Sequence, residues 1–173
     1  MEGIDLNKPI KYRCSSLRFF DQNEHHVTRF CRDDVLLLVY DGILRFSEDG
    51  IQYEVHPGEY HIQKKNTFQS GNLASDSQKY FYVHFWADWT SDNKFLPRRG
   101  KFEYLAVKSI IEALDQSAYN NFTLVEQTAK FFEILVILYR QNTEITIADQ
   151  IAEYISQRYF NKLSLEMLTK GKR

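Results

Sequence analysis

Four side chains in strict alternation, Tyr80, Tyr82, His84 and Trp86, sit in the segment KYFYVHFW. A period of 2 places them on one face of a strand and Phe81, Val83 and Phe85 on the other. The second face is dry and suits packing. The first carries rings with polar tips, which need hydrogen-bond partners when buried. A ligand cavity, solvent or the flanking helices could supply them. The chemistry such a face offers is binding: ring faces for stacking, with hydroxyl and imidazole groups for orientation.

Covalent chemistry finds little support. There is no Gly-x-Ser-x-Gly turn, no Gly-rich phosphate loop, and no cysteine with a recognisable base beside it. No catalytic residue is expected. The histidines His25, His26, His56, His61 and His84 form no His-x-His pair. His56 and His61 flank a turn and are expected to diverge. A transition-metal site needs several such donors converging on one ion, so neither a metal nor any other cofactor is expected. The acidic pairs Asp33-Asp34 and Glu48-Asp49 read as turn residues that serve solubility. Lys64-Lys65 reads as a solvated loop.

These residues need a scaffold of strands followed by helices. Val35–Tyr40 (VLLLVY) is a continuous apolar run, as in a strand buried on both faces, and Asp41-Gly42 is expected to stop it. Ile43–Phe46 follows, then the hairpin turn Glu48-Asp49-Gly50. Ile51, Tyr53 and Val55 alternate up to the turn Pro57-Gly58, and Tyr60 and Ile62 continue the pattern. Tyr12–Phe20 and His26–Cys31 could add edge strands. Short strands with frequent turn signals predict an antiparallel sandwich or small barrel.

After Pro97 the apolar period becomes helical. Tyr104, Val107, Ile111 and Leu114 mark one helix. Thr123 with Glu126 forms a capping box for the next, which runs to about Gln141. Val125, Ala129, Phe132, Leu135 and Tyr139 make one apolar face of it. Phe131, Ile134 and Leu138 make a second, more than packing on one sheet requires. An exposed aliphatic stripe would be a liability unless covered, so Phe131, Ile134, Leu135 and Leu138 are expected to form a dimer interface. Three parts follow: a barrel over 1–97, a helical dimerisation segment over 98–142, and 143–173 as a linker with further helix.

The chain has 173 residues, with 43% hydrophobic and 26% charged residues, which excludes a disordered chain. Its net charge of −1 advertises neither nucleic acid nor anionic membrane. No apolar run is long enough to span a bilayer and no signal-peptide pattern opens the chain. Cys14 and Cys31 are too few for a disulfide framework. A cytoplasmic location with reduced thiols is expected.

Three segments, in order, resemble the AraC/XylS family of bacterial transcription factors. Asp33–Gln69 is similar to the family's cupin-like sensor barrel: strand, glycine, hairpin, then a Pro-Gly-acid turn and a strand. Lys79–Phe85 (KYFYVHF) resembles its aromatic strand. Ile151–Lys170 (IAEYISQRYFNKLSLEMLTK) looks like the opening of its DNA-binding domain. The resemblance implies an α+β fold, an antiparallel, jelly-roll-like barrel followed by α-helices. It implies that Tyr80, Tyr82 and His84 line an effector pocket. Arg32 matches the general place of a family arginine that contacts ligand; a surface arginine paired with Asp33 or Asp34 is the other reading. Gln69 stands where metal-binding cupins carry their late histidine. It projects either into the barrel mouth with Asn66 or onto the surface. A sugar is the first expectation for the effector and a fatty acid the second. The resemblance further implies a homodimer, with DNA bound only through a domain that this chain merely begins. A cupin isomerase or dioxygenase, or a dimerisation module without ligand, are the rival readings.

Overall fold

The structure is a computed structural model and describes residues 2–143, apart from Gln22, Asn72, Leu73, Ser75 and Asn93. The segment expected to open a DNA-binding domain, 151–170, lies outside the described residues. The chain begins with β1 (Gly3–Asp5), β2 (Lys11–Phe19), β3 (Arg29–Cys31), β4 (Asp34–Glu48) and β5 (Ile51–Val55). Next come β6 (Glu59–Gln63), β7 (Thr67–Ser70), β8 (Asp76–Trp86), β9 (Trp89–Thr90), β10 (Phe95–Pro97) and β11 (Arg99–Lys101). Two helices follow, α1 (Tyr104–Asp115) and α2 (Leu124–Asn142).

All pairings among the described residues are antiparallel, and β4 is the strand shared by β5, β6, β7 and β8. Its first part, Val35–Val39, lies between β6 and β8. Its last part pairs with β5 along Leu44–Glu48, and Ser47 and Glu48 also pair with β7. The expected stop at Asp41-Gly42 is a bend inside one strand. Register shifts interrupt the β4–β8 ladder on both sides of Asp41, and Gly42 has φ of 66°, which glycine adopts without strain. The strand thereby leaves one layer and enters another. Strand β2 is an edge on β8, and β3 pairs with β7. The path β11-β6-β4-β7-β3 ends without pairing back on itself, so the sheet is open rather than a closed barrel. A small sheet, β10-β1-β9, stands apart.

Alternation on β4 and β8 sorts the core into two clusters. Leu36, Leu38, Phe81, Val83 and Phe85 share one cluster with the helices. Val35, Leu37, Val39 and Tyr80 share the other with Leu44 and Phe46, beyond the bend. Every residue of VLLLV is therefore buried, as a strand covered on both faces requires.

Helix α2 opens on the expected capping box. Thr123 N donates to Glu126 Oε2 at 2.7 Å and Glu126 N donates to Thr123 Oγ1 at 3.3 Å. Its far end is tied to β11: Asn142 Oδ1 accepts from Lys101 N at 2.9 Å and Asn142 Nδ2 donates to Lys101 O at 2.7 Å. That approach needs glycine, because a Cβ at Gly100 would lie 2.2 Å from Asn142 Oδ1.

The expected dimer face is corrected here. Phe131, Ile134, Leu135 and Leu138 are all buried in the chain's own core, where Phe131 packs on Phe85 at 5.2 Å between ring centroids. Their i, i+3, i+4, i+7 spacing makes the stripe that faces the sheet. The face left open carries Val125, 78% exposed, Phe132, 40%, and Val136, 45%.

Candidate functional site

The inner face of β8 meets a cavity of about 440 Å³, within the usual range of small-molecule sites. Tyr80, Tyr82 and His84 line it, with Val35 and Leu37 beside them from β4. Arg18 lies opposite Tyr80 on the neighbouring edge strand. Gln63 comes from β6 and Arg29 from β3, on the other sheet path. The segment between β2 and β3 supplies Phe20, His25, His26 and Val27. The opposite face of β8 packs towards the helices, so the cavity and the helical core lie on two sides of one strand.

The aromatic rings are packed against one another. Phe20 meets Tyr80 edge-on at 5.7 Å, and Tyr82 meets His84 at 5.6 Å with the planes at 89°. The Arg18 guanidinium lies 5.0 Å from the centre of the Phe20 ring, within cation–π range. Burial pushes the Tyr80 phenol up to about 12, so it stays protonated at neutral pH.

A polar relay runs behind the rings. Asp33 is paired with Arg13 and accepts from His84 Nδ1 at 3.1 Å. That contact leaves His84 Nε2 as an acceptor, 3.5 Å from Arg29 Nη2. Arg29 Nε donates to Gln69 Oε1 at 3.1 Å. On the other wall His26 Nδ1 donates to the Val27 carbonyl at 3.0 Å, and Gln63 Nε2 donates to His26 Nε2 at 3.4 Å. Burial holds His26 down at about 4, opposed by the Val27 carbonyl. His84 is also lowered, first by burial and then by Arg29, against the pull of Asp33. Both imidazoles are thus neutral at pH 7. Three glutamines, Gln63, Gln69 and Gln78, are fully buried yet keep amide atoms without a partner among the described residues.

The sequence-predicted residues separate cleanly. Tyr80, Tyr82 and His84 come together on the cavity wall. Gln69 is interior and holds Arg29, while Asn66 is exposed at a turn. Arg32 is exposed and does not line the cavity; Arg29 lines it instead. The alternative pairing of Arg32 with Asp33 or Asp34 is absent among the described residues: Asp33 engages Arg13 and His84, and Asp34 engages Lys65, Ala87 and Trp89. Arg29, Arg18, His26, Phe20 and Gln63 were outside the sequence-based set. Alternation through Cys31, buried at the end of β3, points Arg29 inward and Arg32 outward.

The acidic pairs are corrected as well. Asp33, Asp34 and Glu48 are buried structural groups. The Asp34 carboxylate accepts from Trp89 Nε1 and Lys65 N at 2.9 Å each and from Ala87 N at 3.1 Å. Glu48 accepts from His61 Nε2 at 2.8 Å and from Arg98 Nη2 at 2.9 Å. Burial opposes the charge of Glu48, but His61 and Arg98 hold its pKa below the usual value. Lys64 and Lys65 are half-buried rather than free: Lys64 Nζ reaches Glu2 at 2.8 Å, and Lys65 Nζ donates to the Ala87 carbonyl. Among the described residues no three His, Cys, Asp or Glu side chains gather as a metal site would require. No described helix is long and apolar enough to cross a membrane.

The fold and the cavity define a class: antiparallel α+β proteins with a ligand-sized space lined by one face of a central strand. No protein-family model matches the sequence, and no curated protein is significantly similar to it. Among solved structures the chain is similar to unsaturated fatty acid bound wild-type ToxT from Vibrio cholerae strain SCE256. The match has 12% identity and a TM-score of 0.34, and covers 91% of this chain and 62% of that one. The chain therefore spans less than two thirds of that protein.

Proposed function

We propose that this chain is the effector-sensing and dimerisation part of an AraC-type transcriptional regulator and not an enzyme. The carrying observation is the division of β8: its Tyr80, Tyr82 and His84 face lines the cavity, and its Phe81, Val83 and Phe85 face packs with the helices. The order of the three segments resembling the family supports the same reading, with the bent two-layer sheet as an opened cupin-like jelly roll. A small molecule entering the cavity shifts how β8 and the helices pack. It acts only if its affinity differs between two arrangements of the chain. DNA is bound through residues beyond Asn142 and a further domain of a cytoplasmic regulator.

Dimerisation uses the open face of α2, with Val125, Ala129, Phe132 and Val136, in place of the buried stripe. Leu6, Pro9 and Ile10 flank Phe132 and Val136 and extend that apolar surface.

The experiment is a thermal-shift screen of small organic compounds on the chain and on Tyr82→Ala. A ligand at 100 times its Kd stabilises by about 2.7 kcal/mol. The proposal expects at least one compound to raise Tm in the parent and to lose that effect in Tyr82→Ala. Compounds that shift both chains equally would place the site elsewhere.

A further inference from the structure

We infer that the open edge of β3 is a docking site for an extended segment of a partner protein, one that carries an aliphatic side chain two positions after a carboxylate. The segment adds to the sheet as a further strand. This holds or fails independently of what the cavity binds.

The backbone comes first. The sheet path ends on β3, whose pairing among the described residues is with β7 alone. A terminal strand leaves alternate N–H and C=O groups pointing away from the sheet. The other edges of the same sheet are covered. On β2, Asp115 Oδ1 accepts from Leu17 N at 3.0 Å, a register shift breaks the ladder after Tyr12, and Lys11, Arg13 and Arg18 stand exposed. On β11, Asn142 takes both main-chain groups of Lys101. On β5, Arg99 Nη2 donates to the Glu54 carbonyl at 3.2 Å. Among the described residues no side chain caps the main chain of Arg29, Phe30 or Cys31 in this way.

The side chains define what docks there. Thr28, Phe30 and Arg32 are exposed, while Arg29 lines the cavity and Cys31 is buried. Phe30 lies opposite Phe68 in the β3–β7 register, and the two are 58% and 49% exposed. Paired exposed rings beside an open edge mark an interaction surface. Arg32 has no carboxylate partner among the described residues, because Asp33 and Asp34 are engaged elsewhere. An incoming antiparallel strand sets an aliphatic side chain against Phe30 and, two residues nearer its own N-terminus, a carboxylate against Arg32.

Strand β3 has only three ladder residues, so the ladder sets the register and the side chains supply most of the affinity. A second copy of this chain fits less well. Pairing β3 with itself about Phe30 sets Arg32 against Thr28, which brings no opposite charge.

Fluorescence anisotropy of the whole chain tests this with a labelled peptide, Ser-Glu-Thr-Val-Thr-Val-Ser, amidated at its C-terminus. Weak, saturable binding is expected. Phe30→Ser should weaken it about 10-fold through lost apolar contact. Arg32→Glu should weaken it about 3- to 10-fold, the scale of a cross-strand charge pair turned repulsive. Both residues are exposed, so both variants keep the parent fold. A second peptide with Lys in place of Glu should reverse the order, binding Arg32→Glu better than the parent. N-methylation of alternate peptide amides reads the ladder: one phase should abolish binding and the other leave it intact. No binding by either peptide at about 1 mM overturns the inference. So does binding indifferent to Phe30→Ser and Arg32→Glu, or equal binding in both N-methyl phases. Binding kept in Phe30→Ser but lost in Tyr82→Ala places the peptide in the cavity and also overturns it. Light scattering in which Phe30→Ser turns a dimer into a monomer would give the edge to a second copy and overturn the acidic partner.

Discussion

Asp33 Oδ2 lies 3.1 Å from His84 Nδ1, and this contact decides which nitrogen of the ring carries the proton. The Nδ1–H donates to the carboxylate, so Nε2 stays an acceptor and can receive Arg29. Burial and Arg29 lower the pKa of His84, and Asp33 pulls it back up. Asp33→Asn removes the opposing charge. Histidine NMR titration should show His84 protonating below 6.5 in the parent chain and lower still in Asp33→Asn. A pKa that rises in the variant would contradict the relay.

Stability should rise with pH between about 4 and 6.5. His26 is held at about 4 when folded against 6.5 when free, so in that window the unfolded chain binds a proton that the folded chain refuses. His61 is lowered by burial in the same direction, despite the Glu48 carboxylate beside it. From pH 7 to pH 5 His26 alone should cost about 2 kcal/mol. Urea unfolding at the two pH values measures it, and His26→Leu should flatten the difference. A parent chain more stable at pH 5 than at pH 7 would refute the assignment.

The two apolar faces of α2 should respond differently to substitution. Phe131→Ala empties a fully buried site and should cost about 3–5 kcal/mol in urea unfolding. Phe132→Glu and Val136→Glu alter exposed positions, so the chain should stay folded while light scattering reports a monomer. If both remain dimeric, α2 is not the interface.

Gln78 should be dispensable. Its side chain is fully buried and neither amide atom has a partner among the described residues, so it bears a desolvation cost without return. Gln78→Met keeps similar volume without that cost, and should unfold at the same urea concentration or higher. A loss of more than about 1 kcal/mol would mean that the amide has a hydrogen-bonding role, since buried polar groups without partners are expensive.

Much of this arrangement was legible in the sequence, and the failures have identifiable causes. The alternation in KYFYVHF separates cavity face from core face because both sides of β8 are enclosed and the period allows nothing else. The capping box at Thr123 and Glu126 is local, and local signals survive folding. The faces of α2 are different: both Phe131/Ile134/Leu138 and Val125/Phe132/Val136 are apolar, and only tertiary packing selects the one that meets the sheet. On β3, hydrophobicity misleads, because Phe30 is 58% exposed while Arg29 lines the cavity. Asp33, Asp34 and Glu48 resemble turn residues by type. Their partners Arg13, Trp89 and Arg98 lie 20 to 55 positions away, beyond the reach of any local pattern.

The central claim is that an effector binds against Tyr80, Tyr82 and His84 in the space between the sheet layers. Carbon-13 labelling of the histidine rings tests this directly, using whichever compound gives the largest thermal shift. His26 and His84 line the cavity, whereas His56 is exposed at the Pro57-Gly58 turn outside it. Saturation should move the His26 and His84 signals and leave His56 in place. Saturation that leaves both His26 and His84 unmoved would contradict the account.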